Sequence, residues 1–306
     1  MRVRRLPTLI FFLRHFCMDL LAIENEFLKL EVKRVGAEIT QLTAKHNNQE
    51  FIWKGDKSIW ANHAPVLFPI VGGLKDNKYS FEGKTYELPR HGFARYNKDF
   101  TASKNESGLT FTLESSEKTL QVYPFDFMFN ISFSLNENEL IVSHEVINKS
   151  DKEMLFSVGG HPAFCFEEKV SDYQVQFSEE ESGEIIDLNN SGMRTDNLST
   201  LQLENGQSIN LDDTSFNKDA WIFDSLRSKK VTLKGKSGSA VEMNNGDFKH
   251  FGIWSKPGAP FVCLEPWLGL ADHENHDGKL ENKSHILRLP KGETFNASFS
   301  FKIISA

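Results

Sequence analysis

Apolar and polar residues alternate with a period of two over long stretches of this chain. Phe127, Phe129, Ile131, Phe133 and Leu135 alternate with Met128, Asn130, Ser132 and Ser134. Phe295, Ala297, Phe299, Phe301 and Ile303 repeat the pattern near the C-terminus. Successive side chains of a strand point to opposite faces, so this alternation predicts half-buried strands. Shorter versions occupy residues 109–113 and 173–177. Residues 220–223 and 251–254 are apolar with little alternation, which predicts strands covered on both faces.

Turn chemistry separates these runs. Glu82-Gly83-Lys84, Asn136-Glu137-Asn138-Glu139 and the Gly- and Ser-rich segment 234–239 each lie between two strand-like runs and read as hairpin connections. No amphipathic helix of three turns is evident. No Pro- or Ser-rich linker divides the chain, and no internal repeat is obvious. The pattern predicts an all-β protein: one large antiparallel β-sandwich domain with strongly curved sheets.

The first 17 residues differ in character. Arg2, Arg4 and Arg5 precede the apolar run 9–13, which Arg14 and His15 interrupt. The run is too short to span a bilayer, and no small-residue cleavage site follows. Residues 1–17 therefore read as a non-native or disordered extension, with a degenerate targeting segment as the alternative. Met18 opens the strand pattern, so the domain is expected over 18–306.

Composition narrows the partners. The formal net charge of -7 argues against nucleic acid, whose phosphates need clustered Lys and Arg. No stretch points to a membrane. The 26 phenylalanines supply material for a large core. The three cysteines, Cys17, Cys165 and Cys263, show neither a disulfide framework nor zinc spacing, which favours a reducing compartment, the cytoplasm.

Polar residues that interrupt the apolar pattern are the candidates for chemistry. In Phe261-Val-Cys-Leu-Glu-Pro-Trp-Leu-Gly269 an apolar run reaches a carboxylate, then a proline that should end the strand. Glu265 is expected where a buried strand opens onto a loop, its pKa raised by apolar neighbours, as suits a general base. The alternative is a strand-end glutamate facing solvent. In Phe156-Ser-Val-Gly-Gly-His-Pro-Ala-Phe164 the two glycines suggest a tight bend presenting His161, whose ordinary pKa suits proton transfer. A histidine satisfied by backbone is the alternative. Leu88-Pro-Arg-His-Gly-Phe-Ala-Arg95 places His91 and two arginines on a loop, with Gly92 permitting close approach of a ligand. An ordinary charged surface loop is the alternative. The segment 272–278 has metal-like composition but reads as a solvated loop.

Taken together, His-Gly-Phe-Ala-Arg, Gly-Gly-His-Pro-Ala-Phe and Leu-Glu-Pro-Trp in a β-sandwich pattern resemble the aldose 1-epimerase (galactose mutarotase-like) superfamily, and its LacX-like branch. The resemblance runs from about Met18 to the C-terminus and includes residues 67–72, 222–224 and 267–272. It implies a large antiparallel β-supersandwich that interconverts the α and β anomers of an aldose with neither cofactor nor metal. It implies Glu265 as the base at the C1 hydroxyl and His161 as the acid at the ring oxygen. His91, Arg95 and Asp224 would contact sugar hydroxyls; by residue chemistry, Trp267 or a nearby Phe offers an apolar sugar face a flat surface to pack on. The implied partner is a small-molecule sugar, with the protein a monomer or homodimer. Mutarotation of a hexose 6-phosphate and sugar binding without catalysis are the alternatives. One departure stands out. The branch implies an arginine after the glycine of Phe-Pro-Ile-Val-Gly, where this chain has Gly73. If that arginine contacts substrate, this chain has lost the contact, or Lys75, Arg90 or Arg95 stands in.

Overall fold

In a computed structural model the described residues are 20–105, 108–166 and 169–306. The expectation for residues 1–17 lies outside them, as does Cys17. Antiparallel sheets make up the architecture. The largest has nine strands, in the spatial order Ser208–Asn210, Tyr173–Phe177, Lys230–Gly235, Ala240–Asn244, Thr294–Ile304, Glu139–Asn148, Phe127–Asn136, Gly108–Glu114 and Thr101–Asn105. A smaller sheet runs Trp221–Phe223, His250–Trp254, Val262–Leu268, Val158–Gly160 and Val66–Leu67, with Ala163–Phe164 also paired to Val262–Leu268. A four-stranded sheet over residues 20–50 precedes them. The only α-helix among the described residues is Glu117–Val122, capped by Ser116.

Period-two alternation explains how the two main sheets meet. Phe127, Phe129, Ile131 and Phe133 are buried on one face of the large sheet, and Phe299 and Phe301 join them. The smaller sheet answers with its own aromatics. Phe68 stacks on Phe129 with ring centroids 4.4 Å apart, and Phe164 meets Phe301 edge-on at 5.1 Å. Each such buried ring contributes about 1.5–3 kcal/mol of transfer free energy. The three hairpin connections are present; in the first, Glu82 and Gly83 both adopt positive φ, the geometry that closes a two-residue turn.

The smaller sheet is covered on both faces, which sets the site. Along Val262–Leu268, Val262, Leu264 and Leu268 point into the core shared with the large sheet. Cys263 and Trp267 belong to separate clusters on the opposite face, and Glu265 lies between them in the alternation. Ile222 and Leu67 share that outer face. Loops and the Glu184–Leu188/Arg194–Thr200 hairpin roof it. The expectation that the strand ends at Glu265 is corrected. It continues through Pro266, which pairs with Phe251, so Glu265 sits in mid-strand and is 1% exposed. No helix among the described residues is long and apolar enough to cross a membrane.

Candidate active site

The outer face of the smaller sheet floors a cavity of about 380 Å³. That is the size of a small-ligand pocket. Its wall includes His91, Arg95, His161, Glu265 and Trp267, five of the six residues singled out from the sequence. Two neighbouring strands and a loop segment bring them together: Glu265 and Trp267 share one face of Val262–Leu268, His161 follows Val158–Gly160 beside it, and His91 and Arg95 come from the segment 91–95.

Glycines make the floor flat. A Cβ on Gly159 would stand 2.8 Å from the Trp267 ring, and one on Gly252, on the other neighbouring strand, would also stand 2.8 Å from it. The indole thus lies across two strands that carry no side chain beneath it. A Cβ on Gly160 would meet Phe299 at 2.8 Å. These glycines serve packing within a strand, which corrects the expected tight bend. Gly92 is corrected likewise. Its φ of +70° brings it against the Phe68 backbone, where a Cβ would lie 2.3 Å from the carbonyl oxygen, so the close approach is made by protein and not by ligand.

His161 and Glu265 meet directly. Nε2 of the imidazole is 3.2 Å from Oε2 of the carboxyl, without a well-aligned hydrogen bond. Glu265 Oε2, His161 Nδ1 and Trp267 Nε1 are buried and find no hydrogen-bond partner in the protein. Unpartnered polar atoms in a packed interior are costly, and all three belong to residues that line the cavity. Burial, reinforced by the charge of Asp219, holds the Glu265 carboxyl well above its ordinary pKa. Burial pulls His161 down to about 3. The substrate-free cavity thus favours a protonated Glu265 facing a neutral His161, the reverse of the carboxylate and imidazolium implied by the resemblance. The two arrangements differ only in which partner holds one proton.

Aromatic groups fix the imidazole. Trp60 stacks on His161 at 5.2 Å, while Trp254 and His91 meet it edge-on at 5.7 and 5.6 Å. An indole face so placed favours the charged imidazolium. His91 is held in a left-handed backbone conformation (φ +66°), and its Nδ1 accepts from the Gly72 N–H at 3.1 Å. A neutral His91 therefore carries its proton on Nε2 and can donate it. Burial, His161 and the two arginines keep its pKa well below the ordinary value.

Two arginines edge the cavity. Arg90 is exposed, and its Nη2 donates to the Ser191 carbonyl at 3.2 Å. A Cβ on Gly192 would collide with this guanidinium, and one on Gly73 would lie 3.9 Å from Arg90 Nε. Arg90 thus passes beside the position where the branch implies an arginine. Arg95 donates to the Tyr96 hydroxyl and lies over its ring at 4.5 Å. Among the described residues neither guanidinium has a carboxylate partner.

Asp224 is not brought to this cavity. It is a half-exposed residue beyond Trp221–Phe223, where it lines a separate groove with Ile186 and Arg194. Leu188 and Gly192 line the cavity, so the Glu184–Leu188/Arg194–Thr200 hairpin stands between the two. The carboxylate that the cavity does receive is Asp219, at φ +94° just before the same strand. It carries the signal that singled out Glu265, a carboxylate abutting a buried run, but sequence reasoning passed over it. Trp60, Asn62 and Trp254 were also missed; the first two lie in loops without a distinguishing pattern, and Trp254 ends an apolar strand run, where an aromatic reads as core. The 272–278 segment is less solvated than expected. Asp272 is buried and paired with Lys283 Nζ at 2.6 Å. Cys263 is buried and Cys165 partly so, both as free thiols.

Comparison with known proteins gives consistent matches. The family described as Aldose 1-epimerase matches residues 19–295. Two curated relatives, Protein LacX from the plasmid and the chromosome of Lactococcus lactis subsp. lactis, are each 31% identical over 297 residues, 92% of this chain and 99% of theirs. A solved galactose mutarotase related enzyme from Lactobacillus acidophilus is 38% identical with a TM-score of 0.88, covering 94% of this chain and 97% of that one. A galactose mutarotase-like protein from Lactobacillus casei is 29% identical with a TM-score of 0.88, over 93% of this chain and all of that one (100%).

Proposed function

The chain belongs to the aldose 1-epimerase family, and from that premise we propose that it interconverts the α and β anomers of an aldose by acid/base ring opening and closure. The observation that carries this reading is the buried contact of His161 with Glu265 on the floor of a sugar-sized cavity. Ring opening removes a proton from the C1 hydroxyl and delivers one to the ring oxygen. A pair sharing one proton can do both at neutral pH. Glu265 acts as base once its proton has passed to His161. The Trp60 stack favours the imidazolium. His161 then protonates the ring oxygen. Rotation about C1–C2 and closure on the other face reverse both transfers, so no net proton is consumed. His91 Nε2–H, Asp219 and Arg95 hold hydroxyls, and the flattened Trp267 indole packs on an apolar sugar face.

A second reading, mutarotation of a phosphorylated hexose, is favoured by one observation: Arg90 and Arg95 edge the cavity without a carboxylate partner among the described residues. Guanidinium forks bind phosphate bidentately.

Exchange NMR on a panel of free and phosphorylated aldoses, with calorimetry in parallel, tests both. Glu265→Gln should lower the exchange rate by ~10²–10⁴-fold. Binding should survive within about tenfold, since the amide still contacts the C1 hydroxyl. Full exchange by this variant would sink the assignment. Binding without exchange by the wild type would leave a sugar-binding protein.

A further inference from the structure

We propose that Asp224, His250 and His285 form a site for a transition-metal dication of the zinc class, separate from the cavity and with no part in its chemistry. Three remote segments meet there. Asp224 follows Trp221–Phe223, His250 opens His250–Trp254, and His285 precedes Leu287–Leu289. Asp224 Oδ1 lies 3.2 Å from His250 Nδ1 and 3.7 Å from His285 Nε2. All three ligand atoms fall within 4.8 Å of one another. Ligands about 2.0–2.1 Å from a tetrahedral zinc ion stand about 3.3–3.4 Å apart, so the observed separations bracket that value. Two imidazoles and one carboxylate suit zinc or cobalt, and disfavour calcium and magnesium, which take oxygen.

The surroundings suit ligation. His250 is 2% exposed, and burial lowers its pKa to about 4. Burial lowers His285 too. The lowered pKa of each ring favours the neutral imidazole that a metal ligand must be. Lys249, Lys283 and Arg194 are the cations that face the cluster. Two of them are committed elsewhere, Lys283 to Asp272, and Arg194 to the Ala271 carbonyl and Ser284. The groove beside the cluster also carries Glu181, Glu184 and Asp196 against Arg194 and Arg227. Asp224 and His285 line this groove, which leaves a coordination position open to it. His285 adopts φ +60°, an uncommon backbone for a residue with a Cβ, and this sets its ring against that of His250 at 4.6 Å. Without metal, His250 Nδ1–H donates to the Asp224 carbonyl at 2.6 Å. Ligation through Nδ1 breaks that hydrogen bond, turns the ring nitrogen from the carbonyl and moves the proton to Nε2, a change of tautomer without net proton release.

A second grouping, His161, Cys263 and Glu265, satisfies the same spacing but is fully buried, and its His161 and Glu265 are the pair of the cavity already described. The test separates them. Chelator-treated, desalted protein is titrated with Co²⁺ and with Zn²⁺. One equivalent of Co²⁺ should give the visible bands of four-coordinate cobalt, and Zn²⁺ should raise Tm. His285→Asn tolerates the left-handed backbone and should weaken both metals at least about tenfold. Asp224→Asn keeps the shape and should do the same. Metal-free Tm values confirm that both variants fold. Absence of cobalt bands and of a Tm rise would overturn the proposal. So would unchanged affinity in both variants, or a cobalt–thiolate band, which would put the ion on Cys263.

Discussion

Two carboxylate–histidine pairs of the same separation flank one hairpin, and they are not alike. Glu265 meets His161 at 3.2 Å, and Asp224 meets His250 at 3.2 Å. The side chain of Glu265 is 1% exposed and that of Asp224 is 53% exposed. Distance alone therefore does not decide the chemistry of such a pair. Where water is excluded, both partners are driven toward their neutral forms, and one proton is left to be shared. Where the carboxylate keeps its water, burial still drives the imidazole beside it toward its neutral form, and the pair is open to an ion that offers more.

The comparison can be broken first at the buried pair. His161→Asn should lower the anomer exchange rate by ~10²–10⁴-fold, as general acid catalysis is lost. The double variant with Glu265→Gln should be little worse than either single one, because the two residues act as a unit. Exchange NMR at saturating sugar would show this; multiplied losses would mean that the two groups act independently.

Asp219→Asn should have the next largest effect. Losing a charged hydrogen-bond partner for a hydroxyl should raise KM about tenfold. The same substitution removes the charge that, after burial, raises the Glu265 pKa. The alkaline limb of the rate profile should therefore move to lower pH. An unchanged KM and limb would show that Asp219 touches neither sugar nor Glu265.

A smaller effect is expected in stability. A carboxyl whose pKa is raised on folding stabilises fully below its unfolded value, about 4.3. That contribution fades as pH rises through the higher folded value. Glu265 therefore lowers stability at neutral and alkaline pH. His161, pulled to about 3, runs the other way, losing stability as pH falls below its unfolded value. Glu265→Gln should melt above the wild type at pH 8, with the difference narrowing toward pH 4. A variant less stable at both ends would contradict the burial argument.

Much of this was legible in the sequence, and the omissions have physical causes. The strand runs 127–135 and 295–303 are found almost residue for residue, because one face of each is buried and period two is unambiguous there. Glu265, His161, His91, Arg95 and Trp267 reach one cavity. Their motifs were readable, but only tertiary structure joins them. Asp224 was misplaced because a linear motif cannot show that a hairpin 30 residues earlier would stand between it and the cavity. In the sequence, glycines 92, 159 and 160 suggest room for a ligand or a bend. The structure fills that room with Phe68, Trp267 and Phe299, contacts that sequence separation hides. Pro266 suggests a strand end, yet one missing donor does not stop a strand anchored by partners on both sides.

The account rests on the claim that water exclusion sets the His161–Glu265 pair apart, and the pH profile of wild-type kcat/KM for anomer exchange tests it most directly. With the buffer-catalysed rate subtracted, this parameter reports the groups of the free enzyme. The profile should be flat from about pH 5 through neutrality, with no inflection near the ordinary histidine value of about 6.5. Its acid limb should lie toward the lowered His161 value, about 3. Its alkaline limb should lie far above the ordinary carboxylate range. A rate that rises through a midpoint near 6.5 would show a water-exposed imidazole at work and would contradict the account.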